Sequence, residues 1–211
     1  NFTNDNRSLV RSADIVVIAV KPQSVAGVMS EIKQSLDRDT ILVSIAAGIT
    51  TESYDQGFIF DLRVVRVMPN TPALVGEGVS AVCGDRYASE NDIKLVVELF
   101  NAVGKTVIVS ENQMNAVTGL SGSGPAFVFK FIEALSDAGV KAGLSRENAG
   151  MLAAQTVLGS AKMVIETGKH PMVLKDMVTS PAGTTIEAVT SLEKNGFRNS
   201  IIEAMNECTK K

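Results

Sequence analysis

Six apolar residues in a row, Ile15-Val16-Val17-Ile18-Ala19-Val20, follow Asp14 and stop at Lys21-Pro22. An unbroken, β-branched run of this length is the pattern of a strand buried on both faces of a parallel sheet. Pro22 breaks the strand, and a helical stretch follows to about Leu36. A second buried strand, Ile41 to Ile45, then leads into Ala46-Ala47-Gly48. In open α/β sheets ligands sit at the carboxyl ends of the strands. Lys21-Pro22 and Ala46-Ala47-Gly48 therefore occupy the places where a cofactor would lie. No G-x-G-x-x-G turn precedes them. The expectation is an enzyme whose N-terminal, phosphate-binding βαβ part is missing from these residues.

The chain changes character near residue 110. Before it, strands are expected at Arg63 to Met68, Val79 to Cys83 and Thr106 to Val109, with a helix from Ser89 to Val103. Their connections have lengths suited to parallel crossovers. Beyond Ser110 the period becomes helical. Phe127, Phe131, Leu135 and Ala138 share one helix face, and Met151, Ala154, Leu158, Ala161 and Ile165 share another. Gly150, Ala153, Gly159 and Ser160 keep the second helix thin enough for close approach. Residues 1–110 thus read as an incomplete dinucleotide-binding domain with a Rossmann-like parallel α/β sheet, and 111–211 as an all-helical domain. Such small and apolar helices pack either as an intertwined dimer or as a bundle on their own α/β domain.

Composition narrows the function. Across 211 residues, 45% are hydrophobic and 20% charged, ordinary values for a chain with a sizeable core. A net charge of −3 gives no basis for capturing nucleic acid or an anionic membrane. No apolar run approaches the roughly 20 residues of a membrane span. Cys83 and Cys208 form no framework, which fits reduced thiols in the cytoplasm. His170, the single histidine, has no ligand cluster around it in sequence, so no metal is expected.

Two segments carry the chemistry of a small ligand. Gly119-Leu120-Ser121-Gly122-Ser123-Gly124-Pro125-Ala126 begins like a dinucleotide fingerprint, but Phe127 replaces its third glycine and a helix-like stretch precedes it. A tight helix–turn–helix corner at Gly122–Gly124, with Pro125 opening the next helix, is the expected backbone. In Thr179-Ser180-Pro181-Ala182-Gly183-Thr184-Thr185, Ser180 reads as an N-cap and Pro181 as the first helical residue. Free N–H groups at such a start suit a small carboxylate, unless the helix is merely capped. Thr184 and Thr185 add hydroxyls.

Four motifs in this order resemble one family. They are Val16-Val17-Ile18-Ala19-Val20-Lys21-Pro22-Gln23, Arg66-Val67-Met68-Pro69-Asn70-Thr71-Pro72, the stretch from Ala116 to Ala126, and that from Leu174 to Thr185. Together they resemble pyrroline-5-carboxylate reductase, with Ala182 standing where the family usually has glycine. The resemblance implies hydride transfer from NADPH (or NADH) to the C=N carbon of 1-pyrroline-5-carboxylate, giving L-proline. It implies a homodimer interlocked through the helical domain, or a ring of such dimers. Gly183, Thr184 and Thr185, with Val178 and Ser180 beside them, would hold the substrate carboxylate, and the Thr185 hydroxyl would face the ring nitrogen. Ala19, Val20, Lys21, Pro22, Ala46, Ala47 and Gly48 would lie near the nicotinamide and ribose. Lys21 is a candidate for proton transfer as well as for positioning the cofactor. Asn70 would contact the cofactor or organise the Pro69–Pro72 turn.

Two rivals stand beside that reading. A β-hydroxyacid dehydrogenase has a similar glycine-rich corner but a lysine four residues after its last glycine, where this sequence has Val128. A chain without its phosphate-binding turn is also expected to bind NAD(P)H poorly and to dimerise without turnover.

Overall fold

The computed structural model describes residues 2–54 and 58–210. They form two compact units, Asn1–Pro125 and Ala126–Lys211. In the first, α1 (Asn6–Val10) precedes β1 (Ile15–Ile18), α2 (Pro22–Ile32), β2 (Ile41–Ser44) and β3 (Arg63–Met68). There follow β4 (Gly78–Gly84), α3 (Glu90–Asn101), β5 (Gly104–Ile108) and α4 (Met114–Val117).

The five strands lie side by side in chain order. β1, β2 and β3 are parallel, as are β4 and β5, but β4 runs antiparallel to β3. The all-parallel crossover expected from sequence is corrected at this junction. The connection 69–77 holds Pro69, Pro72 and a short 3-10 turn (Thr71–Val75) closed by left-handed Gly76. It is too short for the dozen or more residues that a parallel crossover needs, so the chain returns beside β3.

Alternation in the strands divides the core. Val16, Ile18, Leu42 and Val64 face one side with Val25 and Ile32 of α2, Tyr54 and Leu62. Ile41, Val43, Val65, Val67 and Val82 face the other, against Val96 of α3. β1 is not buried on both faces as expected: Val17 is 44% exposed. As the edge strand, β1 has β2 as its sheet neighbour within the chain. The helix α3 starts where Ser89 and Asp92 cap each other reciprocally, each accepting from the other's backbone N–H, with Ser89 Oγ 3.2 Å from Asp92 N.

The second unit carries α5 (Gly124–Lys141, begun in the first), α6 (Arg146–Thr167), α7 (Pro171–Met177), α8 (Thr184–Lys194) and α9 (Phe197–Thr209). Its helices bury little of themselves. α6, 22 residues long, buries Ala149 and Ala153, while Met151, Leu158 and Ile165 of its apolar stripe are exposed.

Candidate active site

β1 and β2 are parallel neighbours, with Ile18 level with Ser44, so their carboxyl ends emerge at the same edge of the sheet. The exits Ala19–Pro22 and Ala46–Gly48 are therefore brought together. Ala19, Val20, Lys21 and Pro22 are exposed. Lys21 takes an extended backbone as the N-cap of α2, with Pro22 just inside the helix where its missing N–H removes nothing. No side chain caps that helix. After β2, Ala46 is buried, whereas Ala47 and Gly48 are exposed. Gly48 has a left-handed φ of 75°, and a Cβ built there would meet nothing within 4 Å. This small, open edge can accept the flat ring and ribose of a nicotinamide cofactor.

Beneath the loop lies a polar cluster that sequence reasoning missed. Arg66 is 3% exposed in the middle of β3. Its Nη1 donates to Glu111 Oε1 at 3.2 Å. The same carboxylate accepts from the Thr51 N–H at 2.7 Å and from the Thr51 hydroxyl at 2.5 Å. Arg66 Nη2 is buried without a partner among the described residues. Nearby, the Ser44 and Tyr54 hydroxyls share a hydrogen bond of 2.5 Å, and Ser44 Oγ accepts from the Ala46 N–H at 3.2 Å. Burial pushes the Glu111 carboxyl up, but the Thr51 hydrogen bonds and the Arg66 guanidinium outweigh it and hold the group below the usual carboxylate range. Burial raises Tyr54, with the Ser44 hydrogen bond and the Arg66 charge opposing. The signal available in the sequence was one charge inside the otherwise apolar segment Val64-Val65-Arg66-Val67-Met68.

Asn70 spends its amide on the protein. Its Oδ1 accepts from the Val79 N–H at 3.0 Å, and its Nδ2 donates to the Ser121 carbonyl at 3.1 Å. In a regular helix that carbonyl would accept from residue 125, which is a proline and has no N–H. Asn70 supplies the missing donor, and one further donor and acceptor lone pair remain on the amide.

The glycine-rich segment is not the tight corner expected. A π-helical turn, Thr118–Gly122, joins α4 to α5, closed by the Ser123 N–H on the Thr118 carbonyl at 2.9 Å. Gly119, Gly122 and Gly124 do not adopt positive φ. Gly122 instead permits close approach: a Cβ there would lie 2.9 Å from the Met68 Cε.

The other candidate residues belong to the second unit, on the connection from α7 to α8. Val178 is the exposed C-cap of α7. Ser180 is not the N-cap expected. Its carbonyl accepts from the Gly183 N–H at 3.0 Å, closing a turn around Pro181 and Ala182. Ala182 has φ of 53°, the positive value that a type II turn demands at its third position. That residue delays the helix, which begins at Thr184 with Gly183 as N-cap and no capping side chain. The N–H groups of a first helical turn lack intrahelical partners. Thr184 and Thr185 are exposed, and their hydroxyls make no hydrogen bond among the described residues. His170 is occupied in capping α7, its Nδ1 accepting from the Met172 N–H at 3.2 Å. Among the described residues no cluster of His, Cys, Asp and Glu is placed to hold a metal.

Comparison with known proteins gives consistent matches along the chain. A family profile described as pyrroline-5-carboxylate reductase dimerisation matches residues 111–211. One described as NADP oxidoreductase, coenzyme F420-dependent, matches residues 1–48. A pyrroline-5-carboxylate reductase of Methanosarcina acetivorans is 49% identical over 96% of this chain and 75% of its own. That of Arabidopsis thaliana is 51% identical over 97% of this chain and 74% of its own. The crystal structure of Plasmodium falciparum pyrroline carboxylate reductase with NADP bound superposes with a TM-score of 0.91 and 39% identity, covering 100% of this chain and 80% of that one.

Proposed function

This chain belongs to the pyrroline-5-carboxylate reductase family, and from that premise we infer how its exposed strand exits and its α8 start share one reaction. The enzyme reduces 1-pyrroline-5-carboxylate to L-proline, the last step of proline biosynthesis. NAD(P)H supplies the hydride. The hydride adds to the ring carbon of the C=N bond, and the nitrogen takes a proton if the imine enters neutral. The relatives give no support to the hydroxyacid dehydrogenase alternative.

What this chain's residues contribute follows from their chemistry. Ala19–Pro22 and Ala46–Gly48 line the nicotinamide and ribose, with Lys21 presenting a cation beside them. Asn70 has one donor and one acceptor left for the cofactor. The first-turn N–H groups of α8, at Thr184 and Thr185, hold the substrate carboxylate at the positive end of the helix, beside the N-cap Gly183, whose own N–H is turned to the Ser180 carbonyl. Val178 and Ser180 flank that cradle. The Thr185 hydroxyl orients or relays the proton to the ring nitrogen; Lys21 is the second candidate for that proton. The observation that carries this assignment is the bare start of α8, which no side chain caps and where neither threonine hydroxyl has a partner among the described residues.

The dimerisation family of residues 111–211 makes the protein an oligomer. We take it to be a homodimer, alone or stacked into a ring of dimers. The exposed stripe of α6 supports this, as does an apolar groove of about 550 Å³ lined by Phe127, Phe131, Leu135, Leu192, Phe197 and Ile201. Two unbridged cysteines, Cys83 and Cys208, favour the cytoplasm.

The test is pyrroline-5-carboxylate-dependent oxidation of NADPH by the full chain. Thr185→Val is expected to lower kcat about 10²-fold, the low end for a proton-transfer group, while Thr185→Ser keeps most of the rate. An undiminished valine variant would remove Thr185 from the chemistry.

A further inference from the structure

The loop after β2 carries the residues assigned above to the nicotinamide, and both of its ends are tied by groups that hydride transfer does not itself use. Ser44 and Arg66 are registered neighbours on β2 and β3, so their side chains share one face of the sheet. Tyr54 packs into the core of that face. At the near end, Ser44 accepts from the Ala46 N–H while it is bonded to Tyr54. At the far end, Glu111 accepts two hydrogen bonds from Thr51 and is itself held by Arg66. Between these anchors lie Ala47 and Gly48, exposed and without a side chain large enough to hold them, followed by Ile49, which packs against the core, and Thr50.

We propose that Glu111 is a positioning residue, which with Arg66 and Thr51 clamps the loop Ala46-Ala47-Gly48 in the shape that receives the nicotinamide half of the cofactor. The inference rests on the assignment of that loop to the cofactor.

Stability gives no reason for this arrangement. A guanidinium–carboxylate pair withdrawn from water is commonly matched or exceeded in stability by apolar residues of the same volume; here Arg66 is buried and Glu111 half-buried, and Arg66 Nη2 is left without a partner among the described residues. Direction is what the pair provides. Two donors of one residue on a single carboxylate fix both the place and the orientation of Thr51. A loop already in its bound shape does not lose backbone freedom when the ligand arrives. Freezing even one residue on binding corresponds to about tenfold in affinity. Loss of the clamp therefore belongs to cofactor affinity and not to the chemical step.

The experiment titrates the full chain with NADPH by its fluorescence, and measures kcat, both KM values and thermal melting. Thr51→Val leaves the Arg66–Glu111 pair intact while removing one bond of the clamp. It is expected to raise the NADPH Kd about tenfold, with kcat at saturating NADPH and the KM for pyrroline-5-carboxylate within about twofold. Thr51→Ser restores the hydroxyl and the affinity. Ala47→Leu places bulk in the loop and tests the assignment beneath the inference. Weakened NADPH binding in Ala47→Leu beside wild-type binding in Thr51→Val would discard the clamp and keep the loop. Unchanged binding in both would discard the loop assignment and the clamp with it. Equal losses in Thr51→Val and Thr51→Ser, or a loss that follows the melting temperature, would reduce the cluster to a structural one.

Discussion

Ala182 offers a measurable strain at the edge of the substrate cradle. Among the described residues it is the non-glycine residue with a positive φ, 53°. An L-residue held in the left-handed region is disfavoured by roughly 1–2 kcal/mol, from its Cβ against the following carbonyl. Glycine at the same place removes that contact but enters the unfolded chain with more freedom, which offsets about 0.4–1 kcal/mol. Ala182 is exposed, so little packing is lost. The balance leaves Ala182→Gly more stable by ~0.5–1 kcal/mol. Ala182→Val should move the other way, because a β-branched side chain at positive φ is worse than a methyl. Urea unfolding at one fixed protein concentration measures the series, the fixed concentration being needed because subunit association adds to apparent stability. The expected order is glycine above alanine above valine, with unchanged m-values. A glycine variant less stable than the parent, or a valine variant equal to it, would refute the argument that this turn is strained.

Three further outcomes follow from individual contacts. In Gly183→Ala the new Cβ would overlap Ser180 Oγ and lie 3.1 Å from the Ser180 carbonyl oxygen, so the Ser180 side chain has to turn away and the turn to shift. The KM for pyrroline-5-carboxylate should rise about tenfold, equivalent to ~1.4 kcal/mol, and adding Ser180→Ala should recover part of it; a single variant with normal KM contradicts this. Asn70→Ala leaves the Ser121 carbonyl and the Val79 N–H without their partners. At about 1–3 kcal/mol for each stranded group, a loss of ~2 kcal/mol or more is expected, and an unchanged unfolding midpoint would speak against it. Burial, with Glu111 adding to it, pushes the Cys83 thiol up from 9.0 to about 11. Its folded value lies above its unfolded one, so its contribution to stability is complete below pH 9.0 and fades as the pH rises through about 11. A thiol reagent at about pH 8 should modify Cys208 and leave Cys83 until the protein unfolds; equal rates at both would contradict the assignment.

The parts of the fold that were readable from sequence are those set by local chemistry. β3 ends at Met68 because Pro69 follows, and α3 begins after Ser89 because Ser89 and Asp92 complete a capping box. Strand direction is a different matter: Val79 to Cys83 has the same alternation whichever way it runs. Only the shortness of 69–77 turns β4 against β3. The glycines from 119 to 124 invited a turn because glycine permits one, whereas here they let a helix swell by one residue and Met68 come close. At Ser180 the capping residue was present, but Ala182 has the wrong hand for a helix and moved its start to Thr184. The strand exits proposed to receive the cofactor were legible because proline and glycine mark such places. Thr51, Arg66 and Glu111 were not, because they come from three distant segments and meet only once the strands align.

The two units differ in what each needs in order to finish folding. The sheet buries its own branched side chains, from Val16 to Val96, within one polypeptide. The helices leave Met151, Leu158, Ile165 and Phe129 facing outward. On the ribosome the sheet emerges first and those helices afterwards. Maturation therefore begins as a private event in each nascent chain and ends as an association between subunits. Its last stage slows with dilution, so synthesis from neighbouring ribosomes on one message favours it.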